Sequence, residues 1–314
     1  MAGSKLDMIP VFRDMISSYY IRRLNTENNG LSNIKMNIIQ IPILLTKEQK
    51  ELCKSLKFNH MMDKDSSILK LYSDFTKVAC CPQIFDNSYT NISPKVIELI
   101  KQLKSSDKKF VLFASYLEHH KIIRSYLDKA NIQYVSVTGE QSAKEKDQSK
   151  QQFYSNPEIK VILLTGAGKF GLNLQITNKL VFMTLPYTPS DVFQIIGRIF
   201  RIGQEEDVDI LIIYHKDSLE EDMFNILERK QREIDTFFEQ DKAYIFELKD
   251  KKELDVSQSF IKRNYGIGPY FDDICTEEDR LLIPEKELLI LDSNKKSILS
   301  TNYEYFNKIL SVDL

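Results

Sequence analysis

Apolar positions in the middle of the chain fall into five short, nearly continuous runs: Phe110–Ala114, Tyr134–Val137, Val161–Leu164, Leu180–Thr184 and Val208–Ile213. Stretches of helical length separate them. Strands that are apolar on both sides, alternating with helices, predict a parallel sheet covered on both faces. Helix starts are marked as well. Ser93 precedes Pro94, an N-cap followed by proline at the first helical position. Ser142 with Glu145, and Ser218 with Glu221, have capping-box spacing, and Thr188-Pro189 with Asp191 reads similarly. The pattern predicts one α/β domain over residues 93–238.

The flanks read differently. Thr46 and Gln49 cap a predicted helix beginning TKEQKELCKSL, helical character resumes over 66–80, and Cys81-Pro82 ends it. Residues 36–92 are therefore expected to form a helical protrusion on the α/β domain, preceded by residues 1–35, of which 24–35 read as a polar loop. Beyond 238 the periodicity weakens, and residues 239–314 form an extension without a predicted role.

Composition narrows the class. The 314 residues are 42% apolar and 28% charged, with a net charge of −2. A core is affordable, and any nucleic-acid contact must come from a local patch. The four cysteines, Cys53, Cys80, Cys81 and Cys275, lack the spacing of a disulfide framework or a zinc site. They are expected to be buried thiols in a reducing compartment, with no metal bound. No apolar run reaches the ~18 residues of a membrane span. An intracellular protein is expected, nuclear in a eukaryote or cytoplasmic in a bacterium or virus.

Two motifs carry possible chemistry. Gly166-Ala-Gly168-Lys169-Phe-Gly171 follows a strand and matches GxGxxG, but the next strand ends Met-Thr-Leu-Pro without the acid that would hold a ribose. A dinucleotide site is not expected. In Gln194-Ile-Ile-Gly197-Arg198-Ile-Phe-Arg201-Ile-Gly203-Gln204, two arginines lie three apart on one predicted helical face, set among apolar neighbours. Guanidinium forks fit phosphate oxygens, and arginines so placed need an anionic partner.

At these residues the chain resembles the C-terminal RecA-like lobe of Swi/Snf-type superfamily-two helicases, the DNA-translocating ATPases. GRIFRIGQ resembles their motif VI, and Thr165-Gly-Ala-Gly-Lys-Phe-Gly-Leu-Asn-Leu174 their motif V. VLFASYLEHH (111–120) resembles motif IV, and Val135–Gly139 the strand that follows it. FRDMISSYYIRR (12–23) is similar to the linker from a first lobe, LTKEQKELCKSL to the protrusion, and SLEEDMFNILERKQ (218–231) to the closing helix. Three positions depart from the family pattern: Gly166 replaces an arginine, Tyr187 a tryptophan, and Cys80-Cys81-Pro82 an Asn-His-Pro.

The resemblance implies that Arg198 and Arg201 act as catalytic arginine fingers. ATP contacts are implied for Gln194, Gly168, Gly171 and Gln204. Contacts to the phosphates of double-stranded DNA are implied for Ser115, Thr138, Gly139, Thr165, Gly166 and Lys169. Neither GxxxxGK[ST] nor an Asp-Glu dipeptide occurs. ATP and magnesium are thus expected only at an interface with an N-terminal P-loop lobe, as part of a DNA-processing or transcription complex. The chain alone is not expected to hydrolyse ATP. Alternatives are a non-catalytic DNA- or protein-binding module of the same fold, or half of a viral-type transcription or RNA helicase.

Overall fold

The computed structural model describes residues 34–62, 68–86, 89, 91–166, 172–238 and 243–248. In chain order the elements are β1 (Met36–Ile43), α1 (Lys47–Met62), α2 (Ile68–Cys80), α3 (Pro94–Lys104), β2 (Phe110–Phe113), α4 (Leu117–Lys129), β3 (Gln133–Val137), α5 (Ala143–Ser155), β4 (Ile159–Leu164), β5 (Lys179–Phe182), α6 (Pro189–Ile196), β6 (Val208–His215) and α7 (Leu219–Phe238). Short 3-10 turns lie at Pro82–Ile84 and Ala243–Phe246.

All six strands are parallel, in the order β1-β6-β5-β2-β4-β3. Side-chain alternation splits the sheet between two cores. Val111, Phe113, Ile162, Leu164, Leu180, Phe182, Ile210 and Ile212 face α5, α6 and α7. Phe110, Leu112, Val161, Leu163, Val181, Met183, Leu211 and Ile213 face α3 and α4. The five apolar runs are the five inner and right-hand strands, so the α/β fold has the expected two-sided burial.

The sixth strand was not legible. Residues 36–43, grouped by sequence with the helical protrusion, pair with β6 in register from Met36–Val208 to Ile43–His215. Asn37, Gln40 and Pro42 interrupt the apolar pattern, and an edge strand tolerates all three. The Asn37 amide donates to Asp209 Oδ1 at 2.9 Å, and Lys179 on β5 pairs with the same carboxylate. A polar row thus crosses β1, β6 and β5. The helices α1 and α2 form the protrusion proper, around Cys53, Phe75 and Val78. At the far end Ile245 and Phe246 are buried against the first core, and Gln40 donates to the Glu247 carbonyl at 2.7 Å. The start of the expected extension is therefore packed on the domain.

The caps follow the sequence with two exceptions. Thr46 with Gln49, Ser142 with Glu145, and the Thr188 side chain all cap as expected. Ser93 sits at the N-cap of α3 but donates its hydroxyl to the Ala79 carbonyl. At α7 the expected Ser218–Glu221 box is displaced. Asp217 takes a left-handed φ of 57°, and its amide donates to the Glu221 carboxylate. The Ser218 hydroxyl instead donates to the His215 carbonyl and accepts from the Glu220 amide.

One charged group lies wholly inside. Lys95 on α3 has no exposure, and its Nζ donates to Glu220 Oε1 and to the Met183 carbonyl, both at 2.5 Å. The other carboxylate oxygen accepts from His215 N and Nδ1. Burial raises the Glu220 carboxyl, but Lys95 and His215 overcome it and hold the pKa down to about 2. These contacts tie α3, β5, β6 and α7 together. Removing one partner of a buried pair strands the other charge, at about 3–5 kcal/mol. Lys95→Met and Glu220→Gln are each expected to lower unfolding free energy by about that amount in urea titrations. The double variant should recover part of the loss, and single costs below about 1 kcal/mol would contradict the role given to the pair.

Candidate nucleotide and nucleic-acid interface

In an open parallel sheet, ligands settle outside the carboxyl ends of strands where neighbouring connections diverge. Here β2 connects towards β3, whereas its neighbour β5 connects towards β6. A cleft of about 260 Å³ lies at that point. Ser115 and Tyr116 after β2, Gly166 after β4, Tyr187 after β5, and Tyr72 and Thr76 of α2 contribute to its wall. Ser115 is locked: its amide donates to Thr184 Oγ1 at 2.9 Å, and the two hydroxyls are 2.8 Å apart. Thr165 is buried, with its hydroxyl unpartnered among the described residues. A Cβ built on Gly166 would meet nothing within 4 Å.

Thr138 and Gly139 lie apart from this cleft. Thr138 borders a second hollow, of about 200 Å³, with Lys121, Arg124, Gln141 and Glu145. Its amide donates to Gln141 Oε1 at 2.8 Å, and Gly139 is exposed. The structure therefore joins Ser115 and Gly166 in one cleft and puts Thr138 in another. Gly168, Lys169 and Gly171 lie outside the described residues.

The arginine segment corrects the sequence expectation. Regular helix stops at Ile196, so Arg198 and Arg201 do not lie on α6. The chain continues as tight turns: the amide of Arg198 donates to the Ile195 carbonyl, and those of Ile199 and Phe200 both donate to that of Ile196. Gly203, at φ +95°, closes the segment in a conformation that favours glycine. What fixes the path is the stretch after β4. The Leu174 amide donates to the Arg198 carbonyl at 2.8 Å, and Gln175 Nε2 donates to the Ile202 carbonyl. Buried Gln204 offers Nε2 to the carbonyls of Thr177 (3.0 Å) and Ile199 (3.3 Å), while its Oε1 accepts from the amides of Glu205 and Glu206. Both ends of the Gln204 amide are committed within the chain. Gln194 is exposed on α6.

Both guanidinium groups lack a carboxylate partner among the described residues. Arg198 is half-buried, with Nη1 3.4 Å from the Leu172 carbonyl and Nε buried without a partner. Burial, then the charge of Arg201, push its pKa below the usual arginine value. Exposed Arg201 donates to Asn173 Oδ1 at 2.5 Å. Two cations held close by neutral amides and carbonyls make a site for a multiply charged anion. Sequence reasoning missed Thr184, Asn173 and Gln175 as the residues that hold these groups. Neutral side chains in loops carry no periodic signal. Asn173 alone was marked, within the motif V segment ending Leu-Asn-Leu174. Among the described residues, no helix is long and apolar enough to cross a membrane.

The fold has counterparts among known proteins. Residues 94–203 match the helicase conserved C-terminal domain family. An uncharacterized ATP-dependent helicase of Bacillus subtilis, YqhH, is 29% identical over 187 residues, covering 58% of this chain and 33% of its own length. The ATP-dependent helicase FUN30 of Saccharomyces cerevisiae is 25% identical, covering 57% of this chain and 16% of its own. The chain therefore spans a third or less of these relatives. Among solved structures, the C-terminal part of the Fun30 ATPase domain superposes with a TM-score of 0.53 at 17% identity, covering 65% of this chain and 97% of that one. The Sulfolobus solfataricus SWI2/SNF2 ATPase C-terminal domain gives 0.51 at 21%, covering 73% and 97%. That enzyme's ATPase core in complex with dsDNA gives 0.56 at 24%, covering 76% and 54%. A six-stranded parallel sheet and these likenesses converge: residues 94–203 match the helicase conserved C-terminal domain family, the fold is that of SWI2/SNF2 ATPase C-terminal domains, and the relatives are ATP-dependent helicases.

Proposed function

We propose that this domain completes an ATP site whose phosphate cradle belongs to a P-loop lobe outside it, and that the closed pair moves along double-stranded DNA. The observation that carries this reading is the state of Arg198 and Arg201, two guanidinium groups in fixed backbone with no carboxylate among the described residues to neutralise them. Lobe closure would bring the terminal phosphates of ATP to these forks. Their role is to stabilise charge that develops on the transferring phosphoryl group, an effect of about 10³–10⁵ in rate. Magnesium would be held by the P-loop lobe; when bound, it neutralises phosphate charge. Gln194, Gly168 and Gly171 would approach the nucleotide, and Gln204 would keep the arginine turns in place.

DNA would be gripped without reading its sequence. Ser115, Thr165 and Gly166 end β2 and β4, where amides and hydroxyls suit backbone phosphates, and Thr138, Gly139 and Lys169 would extend the track. The dsDNA-bound SWI2/SNF2 core of similar fold supports duplex DNA as the polymer. The hydrogen bonds between residues 172–177 and 197–204 would transmit motion between the DNA-facing loop after β4 and the ATP-facing arginines.

The decisive measurement is DNA-stimulated ATP hydrolysis with the P-loop lobe present, in one polypeptide or added in trans. Arg201→Ala is expected to lower kcat by about 10³-fold or more while leaving the melting temperature nearly unchanged, because Arg201 is exposed. Arg198→Ala should lower kcat comparably. A full rate with both arginines removed would overturn the assignment. A second expectation concerns DNA: Lys169→Ala should weaken duplex binding uniformly across sequences. It should also reduce the slope of log K against log salt by about 1, read by fluorescence anisotropy.

A further inference from the structure

Away from the proposed ATP and DNA contacts, three soft ligands meet in the interior. Cys80 closes α2, Cys81 follows it, and His119 lies in the first turn of α4. Their two sulfurs and an imidazole nitrogen all lie within 4.8 Å of one another. Cys80, Cys81 and His119 are essentially unexposed. Sequence spacing hid this group, because α3 and β2 separate the cysteine pair from the histidine and the sheet returns them to one place.

His119 is the unexplained member. A neutral imidazole offers one N–H donor and one acceptor, yet neither His119 nitrogen has a hydrogen-bond partner among the described residues. Its ring is held edge-on by Tyr116, with centroids 5.2 Å apart. Buried polar atoms are nearly always satisfied, and an orphaned ring beside two thiols points to a missing bonding partner. Two thiols and an imidazole are soft ligands, which suit a metal cation. The neutral imidazole is the form that binds metals. Lys95 and Glu220, which also act on this region, already neutralise each other. A divalent cation on two thiolates would thus add no net charge to the interior.

We propose that Cys80, Cys81 and His119 bind one thiophilic d10 metal ion of the zinc class. Binding forms two metal–sulfur bonds and one metal–nitrogen bond, and the two thiol protons pass to solvent buffer. No oxidation state changes. Thiolates and imidazole select such ions over magnesium or calcium. Because the ligands are buried, loading accompanies folding. The ion would pin the end of α2 to the start of α4. Tyr72 and Thr76 of α2 and Tyr116 beside α4 line the strand-end cleft, so the pin would set that cleft's width.

The test uses the full chain, reduced, unfolded and refolded with cadmium as the probe. One equivalent should give a sulfur-to-cadmium charge-transfer band that saturates at one ion per chain and is displaced by excess zinc. Cys53→Ser with Cys275→Ser should keep the band. Cys80→Ser with Cys81→Ser should abolish it, and His119→Phe should weaken binding at least tenfold. Should the site variants fail to fold, alkylation mapping of the wild-type chain decides: cadmium must protect Cys80 and Cys81 but not Cys275. No band at one equivalent, a band that survives loss of Cys80 and Cys81, or protection confined to Cys53 or Cys275 would each overturn the site.

Discussion

Holding a chain rigid outside regular secondary structure requires partners for its backbone, and residues 197–204 find theirs in the stretch after β4. The α6 helix ends at Ile196, so nothing periodic carries the two arginines. Leu174, Gln175 and Gln204 satisfy the carbonyls of Arg198, Ile202 and Ile199 instead. A buried carbonyl left without a donor costs about 1–3 kcal/mol, so the two segments are held together by what they would otherwise lose. The consequence is mechanical. A shift of the loop after β4 cannot leave the arginine turns behind, and the converse holds equally. On the proposed reading this makes one rigid part of two functions.

The sheet was legible because burial on both faces leaves a coarse mark: five runs of branched and aromatic residues, each bounded by a cap or turn. Edge strand β1 escaped because only half of its residues need to be apolar. The resemblance to helicase motifs marked Arg198 and Arg201 as a pair, but the i,i+3 spacing suggested a helix where the backbone makes successive turns. That spacing measures neighbourhood along the chain and cannot report whether the hydrogen-bond ladder continues. Gln204 was expected near nucleotide. Its amide is consumed by five backbone groups within about 30 residues of sequence. Clustering of Cys80, Cys81 and His119 had no sequence signal, because contact across α3 and β2 depends on the packing of four elements.

The interior charges follow the same economy of position. Lys95 reaches across the second core from α3 to the end of β5 and the start of α7. A methionine would fill that space without desolvating an ion. What lysine adds is directional: its proton donors must find the Met183 carbonyl and the Glu220 carboxylate together, and Glu220 must at the same time cap His215. Only one placement of α3 and α7 against β5 and β6 meets all these bonds. The carbonyl of Met183 lies one residue before Thr184, which locks Ser115. The ion pair thus fixes the register of the loop that forms one wall of the cleft.

Gly166 bears on how that cleft would hold DNA. The helicase pattern that the sequence resembles has arginine at this position, and a small residue there invites a steric explanation. The geometry gives none: a Cβ would meet no atom within 4 Å, and the φ of Gly166 is one that other residues adopt. Glycine is therefore not demanded by the fold, and its presence leaves without a cation a wall that also holds Tyr72, Tyr116, Tyr187, hydroxyls, apolar side chains and the carboxylate of Asp191. Among the described residues lining the cleft, a phosphate reaching this point meets amides and hydroxyls but no lysine or arginine, with the Asp191 carboxylate on the same wall. Neutral donors fix the position of a backbone without the counterion release that arginine and lysine supply. On the proposed function, the salt-dependent part of DNA affinity then falls on the cations proposed for the track, Lys169 first among them. The cleft itself contributes register, the part of a translocating grip that must be released and remade at every step.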